Sequence, residues 1–337
     1  QGKEALDQID RLADVCDPST KVIVVGRVND VELYRELIRR GVSEYLVAPV
    51  SPLHMIEVIS GIYLSPEAAP VGRIVSFVGA RGGVGSSTIA HNVGWTVAER
   101  QRIATTIVDF DLAFGTAGLD FNEESSQGVA EALTAPERLD DVLLDRLLLK
   151  AGEHLSLFTS PAMLDRNYDA ETGAYEAVLD SVRQISPCVI VDVPHIWTPW
   201  VKQTLLSSDE IIIVATPDLA SLRNAKAMIE LLKQGRPNDE PPKLVLNMVS
   251  TPKRPEIPVK DFAETVGVEP SLLIPFEPHL FGTAANNGQM LPEVQPRSQV
   301  AEGIRALSEL VTGRTTSDES QKGASSVFSF LKGRKQA

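Results

Sequence analysis

The sequence predicts an α/β protein: a mostly parallel sheet with helices on both faces, preceded by a smaller, partial α/β segment. Three observations carry this expectation. Short runs rich in Val and Ile recur along the chain, too short for helices and bounded by turn residues, as expected of strands buried on both faces. Stretches with apolar residues at helical spacing lie between them, and such alternation favours parallel strands joined by crossover helices. A glycine-rich loop connects one apolar run directly to a helical stretch.

Residues 1–63 form the first region. Val22-Ile-Val-Val25 reads as a buried strand, and Val31, Tyr34, Leu37 and Ile38 follow at helical spacing, with Gly41 as the stop. Tyr45-Leu-Val47 is a second strand, closed by Pro49, and Leu53, Ile56 and Ile59 mark another helix. This β-α-β-α segment is too short for a whole doubly wound domain. The chain opens at Gln1, so the front half of that domain is expected to lie outside it. Residues 64–72 read as a linker, because Pro66 and Pro70 among small residues interrupt every periodicity.

Residues 73–313 form the second region. Its strands are expected at Ile74–Val78, Thr106–Val108, Leu155–Phe158, Val189–Val193, Ile211–Val214 and Lys243–Asn247. Residues 314–337 are expected to be a flexible tail. It is polar and of low complexity up to Ser326, then carries Val327, Phe328, Phe330 and Leu331 beside Lys332, Arg334 and Lys335. On a helix those apolar residues would share one face, a short amphipathic end.

Composition narrows the function. The 337 residues carry a formal net charge of −13, which disfavours nonspecific contact with a nucleic-acid backbone. Two cysteines, Cys16 and Cys188, with no C-x-x-C between them exclude a disulfide framework and disfavour an iron–sulfur site. No apolar run approaches the roughly 18 residues of a membrane span.

The strongest local signal is Phe77-Val-Gly-Ala-Arg-Gly-Gly-Val-Gly-Ser-Ser-Thr88. A glycine-rich turn lets backbone N–H groups approach an anion, and the following helix N-terminus adds a favourable dipole. Ser87 stands where the Ser/Thr of a phosphate loop holds magnesium. The spacing does not fit G-x-G-x-x-G, which argues against a dinucleotide site. The pattern G-x-x-x-x-G-K-[ST] fails twice, at Ala80 and at Ser86.

The loop resembles the deviant Walker A motif, K-G-G-x-G-K-[ST], of the MinD/ParA-like P-loop ATPases. Arg81 stands at the first, signature lysine and Ser86 at the second. The run Arg81-Gly-Gly-Val-Gly-Ser-Ser-Thr-Ile-Ala-His-Asn92 looks like the CpaE/TadZ branch, which serves assembly of Flp (Tad) pili, and Pro194-His-Ile-Trp-Thr-Pro-Trp200 supports that likeness. Trp197 and Trp200 themselves are expected to be packing residues.

The resemblance covers roughly residues 73–313 and implies a P-loop NTPase fold, ATP and Mg2+. It implies that Arg81, Gly82, Gly83, Val84, Gly85, Ser86, Ser87 and Thr88 cradle the phosphates. Asp109-Phe-Asp111 matches the family's D-x-D: Asp111 would orient the attacking water and Asp109 would support the metal shell. Two acids at a strand end are common in α/β proteins, so the pair gains meaning only beside the loop. Cys188-Val-Ile-Val-Asp192 looks like a Walker B strand that delivers Asp192 to the metal, giving Ser87, Asp109 and Asp192 as the metal set. Thr216–Ala225 resembles a segment that lines the nucleotide-dependent dimer face. Asn247 matches an adenine-binding Asn, or else caps its strand. Pro275 and Glu277, in Ile274-Pro-Phe-Glu-Pro278, resemble a base-flanking loop, with Glu277 in place of the usual Asp.

A P-loop lysine brings positive charge to the β/γ-phosphates, whereas Ser86 donates a hydrogen bond without charge. Losing one preorganised donor costs about 10²–10³ in rate. In these relatives the signature lysine reaches the partner's phosphate, and Arg81 copies that lysine only in part. The expectation is therefore ATP binding, a face-to-face homodimer, and slow or absent hydrolysis.

Residues 22–63 resemble the second half of a receiver domain, with Tyr45-Leu-Val-Ala-Pro-Val50 aligned to its Y-L-x-K-P strand end. Ala48 replaces the receiver lysine and Gly26 the hydroxyl residue, which implies a pseudo-receiver that docks rather than accepts phosphate. The expected function is a localisation and scaffold ATPase for pilus assembly. It would be cytoplasmic, recruit pilus and secretion-machinery components, and touch the inner membrane peripherally or sit at a cell pole. A ParA/MinD-type positioning ATPase for DNA or division-site cargo is the alternative.

Overall fold

The computed structural model describes residues 9, 21–28, 31–63, 71–123, 128–161, 164 and 170–314. The chain divides into two compact units, 1–70 and 71–337. The amphipathic end expected at residues 327–331 lies outside the described residues, as does most of the expected linker.

In the first unit β1 (Ile23–Gly26) and β2 (Glu44–Val47) pair in parallel through α1 (Val31–Arg39), and α2 (Pro52–Tyr63) follows. Leu37, Val42 and Tyr45 form its small core. The Tyr45 hydroxyl donates to the Val28 carbonyl at 2.7 Å. Ile56 and Ile59, whose spacing predicts α2, are exposed.

The second unit begins at Val71, two residues before the expected boundary. Gly72 belongs with it: its N–H donates to the Arg183 carbonyl at 2.6 Å, and its own carbonyl accepts from Arg183 Nε at 3.2 Å. Gly72, at the end of the expected linker, is thus tied by hydrogen bonds to the unit that follows.

Its strands are β3 (Arg73–Gly79), β4 (Thr105–Asp109), β5 (Leu149–Lys150), β6 (Leu155–Phe158), β7 (Cys188–Val193), β8 (Glu210–Ala215), β9 (Lys243–Val249) and β10 (Pro270–Pro275). They form one sheet in the order β10-β9-β8-β3-β7-β4-β6-β5. All neighbours are parallel except β5, which runs antiparallel to β6. The helices are α3 (Ser86–Gln101), α4 (Ala117–Asp120), α5 (Val129–Thr134), α6 (Asp141–Leu147), α7 (Thr172–Ile185), α8 (Pro199–Ser207), α9 (Leu219–Gly235), α10 (Val259–Val266), α11 (Pro278–Asn287), α12 (Leu291–Val294) and α13 (Gln299–Thr312).

The strands read as unbroken apolar runs because both faces are covered. On β3, Ile74 and Val78 enter the core under α5–α10, whereas Val75 and Phe77 enter the core under α3 and α11–α13. Successive residues of a strand point to opposite faces, so the run needs no polar side. The same parity places Asp109, two residues after Ile107, and Asp192, two after Ile190, on the α3 face. No helix among the described residues is long and apolar enough to cross a membrane.

Candidate functional site

β3 ends at Gly79 in the middle of the sheet, and α3 starts at Ser86. The loop between them turns through Gly83 and Gly85, with φ of 77° and 85°. Left-handed backbone costs a glycine nothing, so the turn is cheap only with glycine here. Gly85 also caps α3 without any side-chain hydrogen bond, which leaves the first-turn amides without a side-chain acceptor. A 16-residue helix with an uncapped start beneath a glycine turn is a ready anion site.

Arg81, Gly82 and Gly83 are exposed, Val84 is buried, and Gly85, Ser86, Ser87 and Thr88 are half-buried. The loop is held from two sides. Asn224 Nδ2 donates to the Ala80 carbonyl at 2.8 Å, and Asn247 Nδ2 donates to the Val84 carbonyl at 2.8 Å. Asn247 is buried on β9, two strands from β3, and its Oδ1 accepts from the Met248 N–H. Asn247, two residues before the end of β9, thus fastens the loop between β3 and α3. An amide has two N–H and two lone pairs, so half of this one's capacity remains. Pro275 and Glu277 are half-buried at the same edge of the sheet, where Glu277 leads into α11.

Arg81 turns sideways onto the start of α9. Its guanidinium donates to Asp218 Oδ2 at 3.1 Å and reaches Thr216 Oγ1 at 3.4 Å. Asp218 caps α9 through the Ser221 N–H and takes a second cation, Arg254, at 3.3 Å. Burial would raise its carboxyl pKa, but hydrogen bonds from Thr216 and Ser221 and the charges of Arg81 and Arg254 hold it below the usual range.

The acids gather on the α3 side of β4 and β7. Asp109 and Asp192 face each other in the ladder register, and both are buried. Asp109 accepts from the Asp111 N–H at 3.0 Å and the Ala117 N–H at 3.1 Å. Burial first, and the neighbouring Asp192 charge second, push its pKa well above the ordinary carboxylate range. Asp111 is half-buried in the turn after β4 and accepts from the Phe114 N–H at 3.0 Å. Phe110, between the two acids, meets Tyr175 and Trp200 edge-on, and those two rings stack 4.0 Å apart. Trp200 packs as expected. Trp197 does not: it is 50% exposed, because its turn lies beyond the end of β7.

His91 is the residue that sequence reasoning missed. It is fully buried on α3, with Nδ1 2.7 Å from Asp120 Oδ2 and Nε2 3.5 Å from Asp192 Oδ2. Burial alone would lower its pKa, but the hydrogen bonds and charges of Asp120 and Asp192 overcome it and raise the value to about 10. The available signal was its spacing. His91 is four residues after Ser87 and three before Gly94, where an added Cβ would lie 2.7 Å from Ile107 and 3.4 Å from Ile190. That spacing puts the ring on the sheet-facing side.

Of the expected metal set, Asp109 and Asp192 come together in a buried cluster with His91, and carboxylates are hard oxygen donors of the kind magnesium takes.

No family model matches the chain. The septum site-determining protein MinD of Synechocystis sp. is 27% identical over 165 residues, which are 48% of this chain and 60% of that relative. Among solved structures, a ParA family ATPase from Chlorobium tepidum TLS superimposes with a TM-score of 0.63 and 28% identity, over 71% of this chain and 99% of that one. The septum site-determining protein MinD of Pyrococcus horikoshii OT3, solved with Mg-ADP, gives a TM-score of 0.62 at 20% identity, over 71% and 96%.

Proposed function

We propose that this chain, whose relatives and fold support a place in the MinD/ParA-like P-loop ATPase superfamily, is an ATP-binding, dimerising positioning protein with slow or absent hydrolysis. The observation that carries the proposal is the phosphate loop: a glycine turn fastened by Asn224 and Asn247, leading into an uncapped helix, with Ser86 where a lysine would stand. The first-turn amides of α3 and the backbone of residues 82–88 bind the phosphates. Ser87, Asp109 and Asp192 hold Mg2+, which supplies charge neutralisation at the phosphates when bound. Asp111 orients water, and Asn247 offers its remaining amide valences to adenine, flanked by Pro275 and Glu277.

Dimerisation is supported by apolar side chains around the loop. Phe114, Ile196 and Leu219 are exposed on the segments that follow β4, β7 and β8. In a parallel sheet these segments share the carboxyl edge with the phosphate loop. A second copy would cover them and bring its Arg81 to the facing phosphate.

The cargo we infer is Flp (Tad) pilus machinery, supported by Ser86 in the loop and by the Pro194–Trp200 segment. The receiver-like first unit would serve as the docking module. A second reading, a positioning ATPase for DNA or division-site cargo, is favoured by the MinD and ParA names of the relatives. The net charge of −13 weighs against DNA.

The test is to purify the protein, identify co-purifying nucleotide, and measure mass in solution with and without Mg-ATP. ATP-dependent doubling of mass with negligible phosphate release is expected. Nucleotide-free monomer that ignores ATP would sink the proposal. Rapid turnover abolished by Asp111→Ala would overturn slow hydrolysis alone.

A further inference from the structure

We propose that Arg254 is a second phosphate-binding arginine, which enters the facing copy's nucleotide site beside Arg81, and that Asp218 is the place-holder from which both are released. The inference rests on the ATP-dependent dimer proposed above and adds to it one residue and a control on its assembly.

Two guanidinium groups converge on one carboxylate oxygen. Arg81 Nη2 lies 3.1 Å and Arg254 Nη2 3.3 Å from Asp218 Oδ2. They come from distant parts of the chain, the loops that follow β3 and β9, and they meet at the end of β8, which lies between those strands. A carboxylate and a phosphate present similar pairs of acceptor oxygens to a guanidinium fork. The place that Asp218 fills is therefore one that a phosphate can take over. One carboxylate also neutralises only one of the two cations, so the pair keeps a net positive charge.

The loop holds Arg254 in position. Pro252 and Pro255 flank Lys253 and Arg254. The Glu256 carboxylate accepts from the Ser250 N–H at 2.9 Å and the Thr251 N–H at 2.8 Å, and the Ile257 N–H donates to the Pro217 carbonyl at 2.9 Å. The side chains of Arg81 and Arg254 remain 44% and 29% exposed, within reach of a ligand from outside. Leu219, next to Asp218, is 73% exposed on the face that a second copy would cover. That copy's nucleotide brings several negative charges against the single charge of Asp218. Its own loop meets them without a lysine, because Ser86 stands there. When the copies close, the phosphates win both arginines from Asp218.

The test measures the dimer dissociation constant by analytical ultracentrifugation of the full chain with Mg2+ and a non-hydrolysable ATP analogue. Arg254→Gln is expected to weaken the dimer by about tenfold or more, and Arg254→Lys, which keeps the charge without the fork, by less. Asp218→Asn is expected to act in the opposite direction and tighten the dimer about fivefold, because the competing charge is gone. Its amide oxygen still accepts from the Ser221 N–H, so α9 keeps its cap and this variant carries the test even if Arg254→Gln fails to fold. A dimer of wild-type strength in Arg254→Gln, or a weaker one in Asp218→Asn, would overturn the inference. So would an equal loss of analogue affinity in dilute, monomeric Arg254→Gln, which would assign Arg254 to its own loop. These outcomes leave the proposed function standing, since the wild-type chain still dimerises. A wild-type chain that stays monomeric with the analogue defeats that function, and this inference with it.

Discussion

Arg81 and Ser86 stand where the resemblance expects two lysines. Arg81 rests on Asp218, yet its side chain is 44% exposed, and an ion pair so open to water contributes about 0–1 kcal/mol. If the loop holds a phosphate as proposed, Arg81 can exchange Asp218 for it at small cost. Ser86 has no charge to offer. Ser86→Lys is expected to raise the single-turnover rate of ATP cleavage by about 10²–10³, read as phosphate release. An unchanged rate would place the block elsewhere than in the missing lysine. The buried thiol makes a separate prediction. Burial pushes the Cys188 pKa up to about 12, so at pH 8 it stays a thiol and should resist alkylation in the folded protein, while urea exposes it. Alkylation of Cys188 at the same rate with and without urea would contradict its burial.

At the scale of elements, the site depends on how α3 is docked and how its loop is fastened. A Cβ on Gly94 would lie 2.7 Å from the Ile107 side chain, so glycine leaves room for that side chain between α3 and β4. That docking brings His91 over the carboxylates. On the other side, Asn247 holds Val84, and a Cβ on Gly85 would come within 2.6 Å of the Asn247 amide. Asn247→Ala leaves a buried carbonyl without its partner, which costs about 1–3 kcal/mol. The expected result is a lower urea midpoint and weaker nucleotide binding together. Wild-type stability in the variant would mean that the Val84 contact contributes nothing. The strand and helix pattern was legible because hydrophobic spacing is local. β10 was not, because Pro270 and Pro275 bound it and only the pairing with β9 defines it.

For the whole molecule, the question is what covers the carboxyl edge of the sheet. Phe114 is 71% and Leu219 is 73% exposed there, on segments that flank the phosphate loop. If a second copy covers them, Phe114→Glu with Leu219→Glu should weaken the ATP-dependent dimer by tenfold or more and leave nucleotide binding by the monomer intact. Light scattering after size exclusion reads the first, and equilibrium dialysis the second. A double variant that still dimerises on ATP would move the interface to another face.

By itself the sequence determined the fold class, the place of the glycine-rich loop and the acids near the ends of β4 and β7, since apolar periodicity and glycine turn chemistry act over a few residues. It could not determine partners that meet across the sheet. Arg81 meets Asp218 because β3 lies beside β8, and Asp109 meets Asp192 because β4 lies beside β7. His91 looked like one more residue of a helix. Only the docking of α3 on β4 and β7 closed it among Asp109, Asp120 and Asp192, where low polarity and nearby charge give an ordinary imidazole an unusual chemistry.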